Sequence, residues 1–168
     1  MPSQPLLQSA NPLVQELHAR LQATDLLGQH VVAAVSGGTD SLALLLGLSE
    51  INQAGLIAVQ VAHFDHLLRT ESKEDARYVL QVASKLGLPI SLGSADVEEI
   101  ARVERRGIEE TARRERYRFL GEVCQAVGAA AVVTGHTADD QVETRLLHVV
   151  RGSGLHGLTG MADDVRLA

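Results

Sequence analysis

Aromatic residues are nearly missing from this chain. Phe64, Phe119, Tyr78 and Tyr117 are all it has, 2% of 168 residues, and it contains no tryptophan. The core must therefore be built from Ala, Val, Leu and Ile. Little stacking surface is left for the single-stranded bases that RNA-recognition folds hold. An excess of basic residues is also absent. The formal net charge is −6, the opposite sign from a free-standing nucleic-acid binder, although a local basic stripe stays open. A single cysteine, Cys124, excludes a disulfide framework or a cysteine zinc cluster and fits a reducing, cytoplasmic setting. No apolar run approaches the roughly 18 residues of a membrane span. Met1 to Ala10 lacks the basic and continuous apolar stretches of a signal peptide, and residues 1–10 are read as a loose tail.

What remains is ordinary globular composition, 45% hydrophobic and 21% charged, long enough for one domain over residues 11–168. The spacing predicts a helix over Pro12 to Thr24, with Asn11 as its cap. His30 to Val35 reads as a strand buried on both faces, and a helix follows from Leu42 to Asn52. A second strand covers Leu56 to His63, a helix Ser72 to Leu86, and a short third strand Pro89 to Leu92. Helices at Val97–Val103 and Ile108–Val127, a strand at Ala129–Thr134 and a helix at Ala138–Val150 complete the series. This alternation predicts an α/β fold, a doubly wound, mainly parallel sheet with helices on both faces. Such sheets bind ligands beyond the carboxyl ends of their strands.

The first site signal follows strand one. In Ser36-Gly-Gly-Thr-Asp-Ser41, Gly37 and Gly38 let the backbone turn sharply toward a ligand. The start of the next helix turns N–H groups toward an anion. Ser36, Thr39 and Ser41 add hydroxyls. Asp40 would repel phosphate directly, and makes sense as a holder of Mg²⁺ bridging to it. The pattern is neither the Walker loop nor Gly-x-Gly-x-x-Gly. A plain strand–helix turn capped by Asp40 or Ser41 is the structural alternative.

This loop resembles the SGGxDS pyrophosphate loop of the PP-loop ATP pyrophosphatase superfamily. Four later segments narrow the likeness. Asp65-His-Leu-Leu-Arg69 continues to Ser72, and Gly107-Ile-Glu-Glu-Thr-Ala-Arg-Arg-Glu-Arg-Tyr117 opens the long helix. His136-Thr-Ala-Asp-Asp-Gln-Val-Glu-Thr144 and Arg151-Gly-Ser-Gly-Leu-His-Gly-Leu-Thr-Gly-Met161 come last. Together they are similar to the DHxLRxxS, GxExxARxxRY, HxxDDQxET and RGSGLxGLxGM motifs of the tRNA(Ile)-lysidine synthase family, from about His30 to Met161.

Helical spacing would put His136, Asp140 and Glu143 on one face, able to hold Mg²⁺ and position a reactant, with Asp139 pointing elsewhere. The alternative is a solvated acidic first turn. By resemblance, Arg113 reaches the reacting centre, where a guanidinium suits phosphate. Seven arginines lie between Arg102 and Arg118, interleaved with Glu104, Glu109, Glu110 and Glu115. Most of them, Arg116 included, are expected on a solvated, ion-paired face. The strand ends at Ala62–Phe64 and Thr134–Gly135 are placed to offer backbone groups to adenine. The resemblance puts His66 and Arg69 beside the nucleotide and lysine region, and Arg151, Gly152, Ser153 and Gly154 on the substrate side. Cys124 is expected to be a core thiol, and His18, His30, His148 and His156 show no partners in the sequence.

The resemblance implies ATP with Mg²⁺ on Asp40 and Asp140, the anticodon of tRNA-Ile and free L-lysine as reactants, and allows a homodimer. Asp140 or Glu143 would orient or deprotonate the lysine amine. Relatives of this type continue into further tRNA-gripping domains, so the chain is expected to be a fragment or one piece of a split enzyme. Two other readings stand beside it: another PP-loop enzyme, amide-forming or sulfur-transferring, and a nucleotide-binding module without activity of its own.

Overall fold

The computed structural model describes residues 9–68, 72–138 and 141–148; side chains are described at 9–68 and 74–135. The elements run α1 (Pro12–Ala23), β1 (His30–Ala34), α2 (Thr39–Gln53), β2 (Ala58–Asp65), α3 (Ser72–Lys85), β3 (Ile90–Ser94), α4 (Val97–Glu104), α5 (Ile108–Val127), β4 (Ala131–Ala138) and β5 (Gln141–His148). The sheet order is β3-β2-β1-β4-β5. The first four strands are mutually parallel and β5 runs antiparallel at the edge. The expected α/β sheet with helices on both faces is what forms.

Strand alternation divides the core in two. Val31, Ala33, Val59, Val61, Ala131 and Val133 pack with Leu17, Leu21, Leu44, Leu48 and Val79 from α1, α2 and α3. Val32, Ala62 and Val132 pack with Leu120, Val123 and Cys124 of α5. Successive side chains of a strand point to opposite faces, so β-branched and small residues in unbroken runs serve both layers. Gly47 admits α1, because a Cβ there would lie 2.5 Å from Leu17 Cδ1. His30 has a partner the sequence did not reveal: its Nδ1 donates to the Val127 carbonyl at 3.0 Å, tying the end of α5 to β1. The αL residue Gly128, at φ +64°, then stops α5.

One sequence expectation is overturned. The segment expected as a helix over Ala138–Val150 is strand over Gln141–His148, paired antiparallel with β4. The register runs from Ala131↔His148 to Ala138↔Gln141. Apolar residues at Val142, Leu146 and Leu147 satisfy a helical stripe and a strand about equally, so periodicity alone does not choose. His136 and Glu143 therefore do not share a helical face. They are direct cross-strand partners in the register.

Candidate active site

The carboxyl ends of β1, β2 and β4 open into a cavity of about 250 Å³. Ala34, Val35, Ser36, Ser41, Ala62, Phe64, His66, Thr134 and Gly135 line it from the sheet side, and Arg116, Tyr117 and Leu120 close it from α5. The expected phosphate loop forms one wall. Gly37 takes φ +97°, open to glycine at no steric cost. The loop lies against α3, where a Cβ at Gly37 would meet Val79 and Asp75 at 3.6 and 3.7 Å.

Helix α2 begins at Thr39, three residues before the expected start, so Thr39, Asp40 and Ser41 form its first turn. Its N-cap is Gly38, and no side chain caps it, which sets aside the capped-turn alternative. The Ser41 hydroxyl instead donates back to the Gly38 carbonyl at 2.9 Å, and lies 3.2 Å from the Ser36 hydroxyl. Helix N–H groups without a side-chain cap and a positive dipole end suit an anion.

Two histidines organise the β2 side. His63 is 3% exposed, and its Nδ1 lies 2.8 Å from the Val35 carbonyl. A carbonyl only accepts, so Nδ1 carries the proton and Nε2 keeps a lone pair when the ring is neutral. This bond fixes the backbone where β1 enters the loop. His66 follows a turn in which Asp65 Oδ1 accepts from the Leu67 amide at 2.8 Å. Its ring packs edge-on to Phe64 with centroids 5.0 Å apart. Burial lowers its pKa, and the nearby Arg116 guanidinium lowers it further, against the opposing pull of Asp65. A second cavity of about 100 Å³ adjoins the first behind Ser36, Phe64 and His66, with Asp65 and Asp75 in its lining.

Gly135 is a close-approach position that the sequence marked only as a strand end. A Cβ there would lie 3.1 Å from the Asp40 carbonyl oxygen and 3.4 Å from Ser41 Cα. The end of β4 thus rests directly on the first turn of α2.

On α5 the expected ion-paired face is present. Arg102 pairs with Glu99 at 2.6 Å, Arg106 with Glu110 at 3.0 Å, and Arg118 with Glu115 at 2.6 Å. Arg114 bridges Glu104 and Glu115. Burial pushes the Glu115 carboxyl up, but hydrogen bonds from Arg114 and Arg118 outweigh it and hold the group below the ordinary range. Arg113 is exposed and stands 5.6 Å from the Tyr117 ring centroid. Arg116 stands 5.4 Å from the same ring and, unlike Arg113, lines the cavity.

The structure thus brings together Ser36, Ser41, Phe64, His66 and Gly135, with Gly37, Gly38, Thr39 and Asp40 completing the loop wall. Arg69, Asp140, Arg151, Gly152, Ser153 and Gly154 lie outside the described residues, as do the side chains of His136 and Glu143.

A phosphate-type loop between strand and helix, at the carboxyl edge of a parallel sheet, defines a nucleotide-binding α/β domain. Its family follows from comparison: the chain belongs to the PP-loop domain family, whose model matches residues 11–168. It is 42% identical over 135 residues to a tRNA(Ile)-lysidine synthase of Dehalococcoides mccartyi, covering 80% of this chain and 29% of that protein. It is 44% identical over 142 residues to the Thermus thermophilus tRNA(Ile)-lysidine synthase, covering 84% of this chain and 26% of that one. The chain therefore spans between a quarter and a third of the length of these relatives. Among solved structures, a U34-tRNA thiolase from Methanococcus maripaludis shares the fold with a TM-score of 0.59 at 18% identity, over 76% of this chain and 47% of that one. An NMN synthetase from Francisella tularensis aligns with a TM-score of 0.51 at 18% identity, over 71% and 50% of the two chains.

Proposed function

We propose that this chain is the ATP-activating part of a tRNA(Ile)-lysidine synthase. In this reading ATP lies with its base against Phe64 and the ends of β2 and β4, and its phosphates on the loop from Ser36 to Ser41. The observation that carries it is the uncapped first turn of α2, opening beside a cavity that the same loop lines.

The reaction then has two steps. The C2 carbonyl oxygen of the wobble cytidine attacks the α-phosphorus, and pyrophosphate leaves with the α–β bridging oxygen. The loop amides stabilise the charge that develops there. The ε-amine of free L-lysine next attacks C2, loses a proton, and displaces AMP with the former carbonyl oxygen. The new C–N bond makes lysidine. Asp140 or Glu143 accepts or orients that proton, and Arg113 meets charge on the substrate side. His66, Arg69 and the Arg151–Gly154 loop lie toward lysine and tRNA.

The residues present fit a magnesium ion shared with the phosphates. Asp40 sits in the first turn of α2 beside the loop hydroxyls, and Mg²⁺ commonly takes one or two carboxylates, phosphate oxygens and water. Asp40 would hold it with Asp140, and the ion would supply charge neutralisation to the leaving pyrophosphate.

The sulfur-transfer alternative is disfavoured by Cys124. Burial holds its thiol up to about 11, so it offers no ready thiolate at neutral pH.

The test is AMP and pyrophosphate release with tRNA-Ile transcript and lysine, comparing wild type, Asp40→Ala and a form extended by the C-terminal part of a relative. Activity that needs lysine, and that falls by about 100-fold or more in Asp40→Ala, is expected. Modification without lysine would refute the lysidine reading. Activity only in the extended form would show that the 168-residue chain does not work alone.

A further inference from the structure

We propose that Arg116 is the anion-binding residue of the α5 wall, holding nucleotide phosphate from the side opposite the Ser36–Ser41 loop. The proposal deepens the ATP reading and rests on it.

Three observations carry it. The first is charge balance. In a chain of net charge −6, the cavity of about 250 Å³ is lined, among the described residues, by one arginine and no aspartate or glutamate. The described lining of this cavity is opposite in sign to the molecule as a whole, and low-dielectric walls strengthen such a field.

The second is the contrast with the neighbouring arginines on the same stretch. Arg102, Arg106, Arg114 and Arg118 are each tied to at least one glutamate. Among the described residues, no such carboxylate is paired with half-buried Arg116. A guanidinium cannot shed its proton, so partial burial without a carboxylate leaves it a site for an incoming anion.

The third is orientation. Arg116 lies over the Tyr117 ring, which supports the planar group by cation–π attraction. Its field also reaches His66 across the cavity, contributing to the lowered pKa of that imidazole. Arg116 thus faces the β2 loop, and not outward with the ion-paired ridge. Neutral His66 leaves the guanidinium as the permanent cation of this wall, across from the amides of the loop. An oxyanion between them is held from two sides, and a fork of donors suits a phosphate.

The experiment measures binding of ATP and of adenosine to the 168-residue chain by calorimetry, for wild type, Arg116→Gln, Arg116→Lys and Arg102→Gln. Arg102→Gln removes the same charge at the exposed pair with Glu99 and controls for net charge. Wild type is expected to prefer ATP over adenosine. Arg116→Gln should weaken ATP by about 10- to 100-fold, as for loss of a charged hydrogen bond, and adenosine by about 2-fold or less. Arg116→Lys, which keeps the charge but not the fork, should fall between, and serves if the glutamine variant does not fold. Arg102→Gln should match wild type. An unchanged ATP-to-adenosine ratio in folded Arg116→Gln or Arg116→Lys overturns the assignment while leaving the ATP reading intact. A wild-type chain that binds adenosine as well as ATP overturns the phosphate reading of the loop itself, and Arg116 with it.

Discussion

The contact between Gly135 and the first turn of α2 can be tested by adding one methyl group. Gly135 is not among the glycines with positive φ, so alanine meets no backbone penalty there. The cost is steric. The new Cβ would lie 3.1 Å from Asp40 O, 3.3 Å from Asp40 C and 3.4 Å from Ser41 Cα. All three are backbone atoms with no rotamer to yield. The loop or the strand end must shift by about 0.3 Å, and inserting a methyl into a close-packed site typically costs about 1–3 kcal/mol. Part of that strain falls on the first-turn N–H groups of α2, which the proposed function assigns to phosphate.

Gly128→Ala supplies the contrast. That residue has φ +64° and nothing within 4 Å of an added Cβ, so its cost is conformational, about 1–2 kcal/mol, and far from the site. For a chain of this size each kcal/mol lowers Tm by about 2–4 °C. Thermal denaturation and ATP titration of both variants should separate the two effects. Both lose several degrees, but Gly135→Ala alone weakens ATP, by about 10-fold, equivalent to about 1.4 kcal/mol. Unchanged ATP affinity in Gly135→Ala would refute the idea that β4 sets the loop geometry. An equal loss of affinity in Gly128→Ala would show that the readout follows stability and not position.

Two further outcomes follow from buried groups. Cys124, 1% exposed and with its thiol raised to about 11 by burial, should react with a thiol reagent at neutral pH only as fast as the chain opens, and at once in denaturant. Rapid labelling of the folded chain would contradict the packing of α5 on the sheet. Glu115 has a folded-state pKa below its ordinary value, so the folded state binds fewer protons than the unfolded one as pH falls. Its contribution to stability is complete above about pH 4.5 and is lost as pH drops through the lowered folded value. Glu115→Gln should lower Tm at pH 7 by the equivalent of about 1–3 kcal/mol, and by progressively less toward pH 3. A Tm difference independent of pH would sink this account.

The sequence was most informative where a residue's role is local. The bounds of α5 follow from Ile108 and Gly128, and the Ser36–Ser41 loop from its glycines and hydroxyls. Phe64 and Gly135 both line the cavity, because strand ends in a parallel sheet converge at one edge. Roles that depend on a partner far along the chain were not legible. Arg113 and Arg116 are three residues apart on one helix, a spacing that puts both on nearly the same face. Motif spacing favoured Arg113, whereas the lean of α5 over β1 and β2 brings Arg116 into the cavity. His63 entered the sequence reading only through the backbone of its strand end, and its side-chain bond to the Val35 carbonyl needed the fold to be seen. The run Val142, Leu146, Leu147 fitted both periods, and the pairing with β4 decided for strand, so that His136 and Glu143 are register partners on adjacent strands instead of neighbours along a helix. Net charge is likewise silent about the cavity. A total of −6 averages over a ridge of neutralised arginine pairs and says nothing of a guanidinium in the cavity lining that no described glutamate neutralises. In an acidic domain, a half-buried arginine that pairs with no described acid is a stronger pointer to an anionic ligand than any excess of basic residues, because burying a charge without a counter-charge is costly.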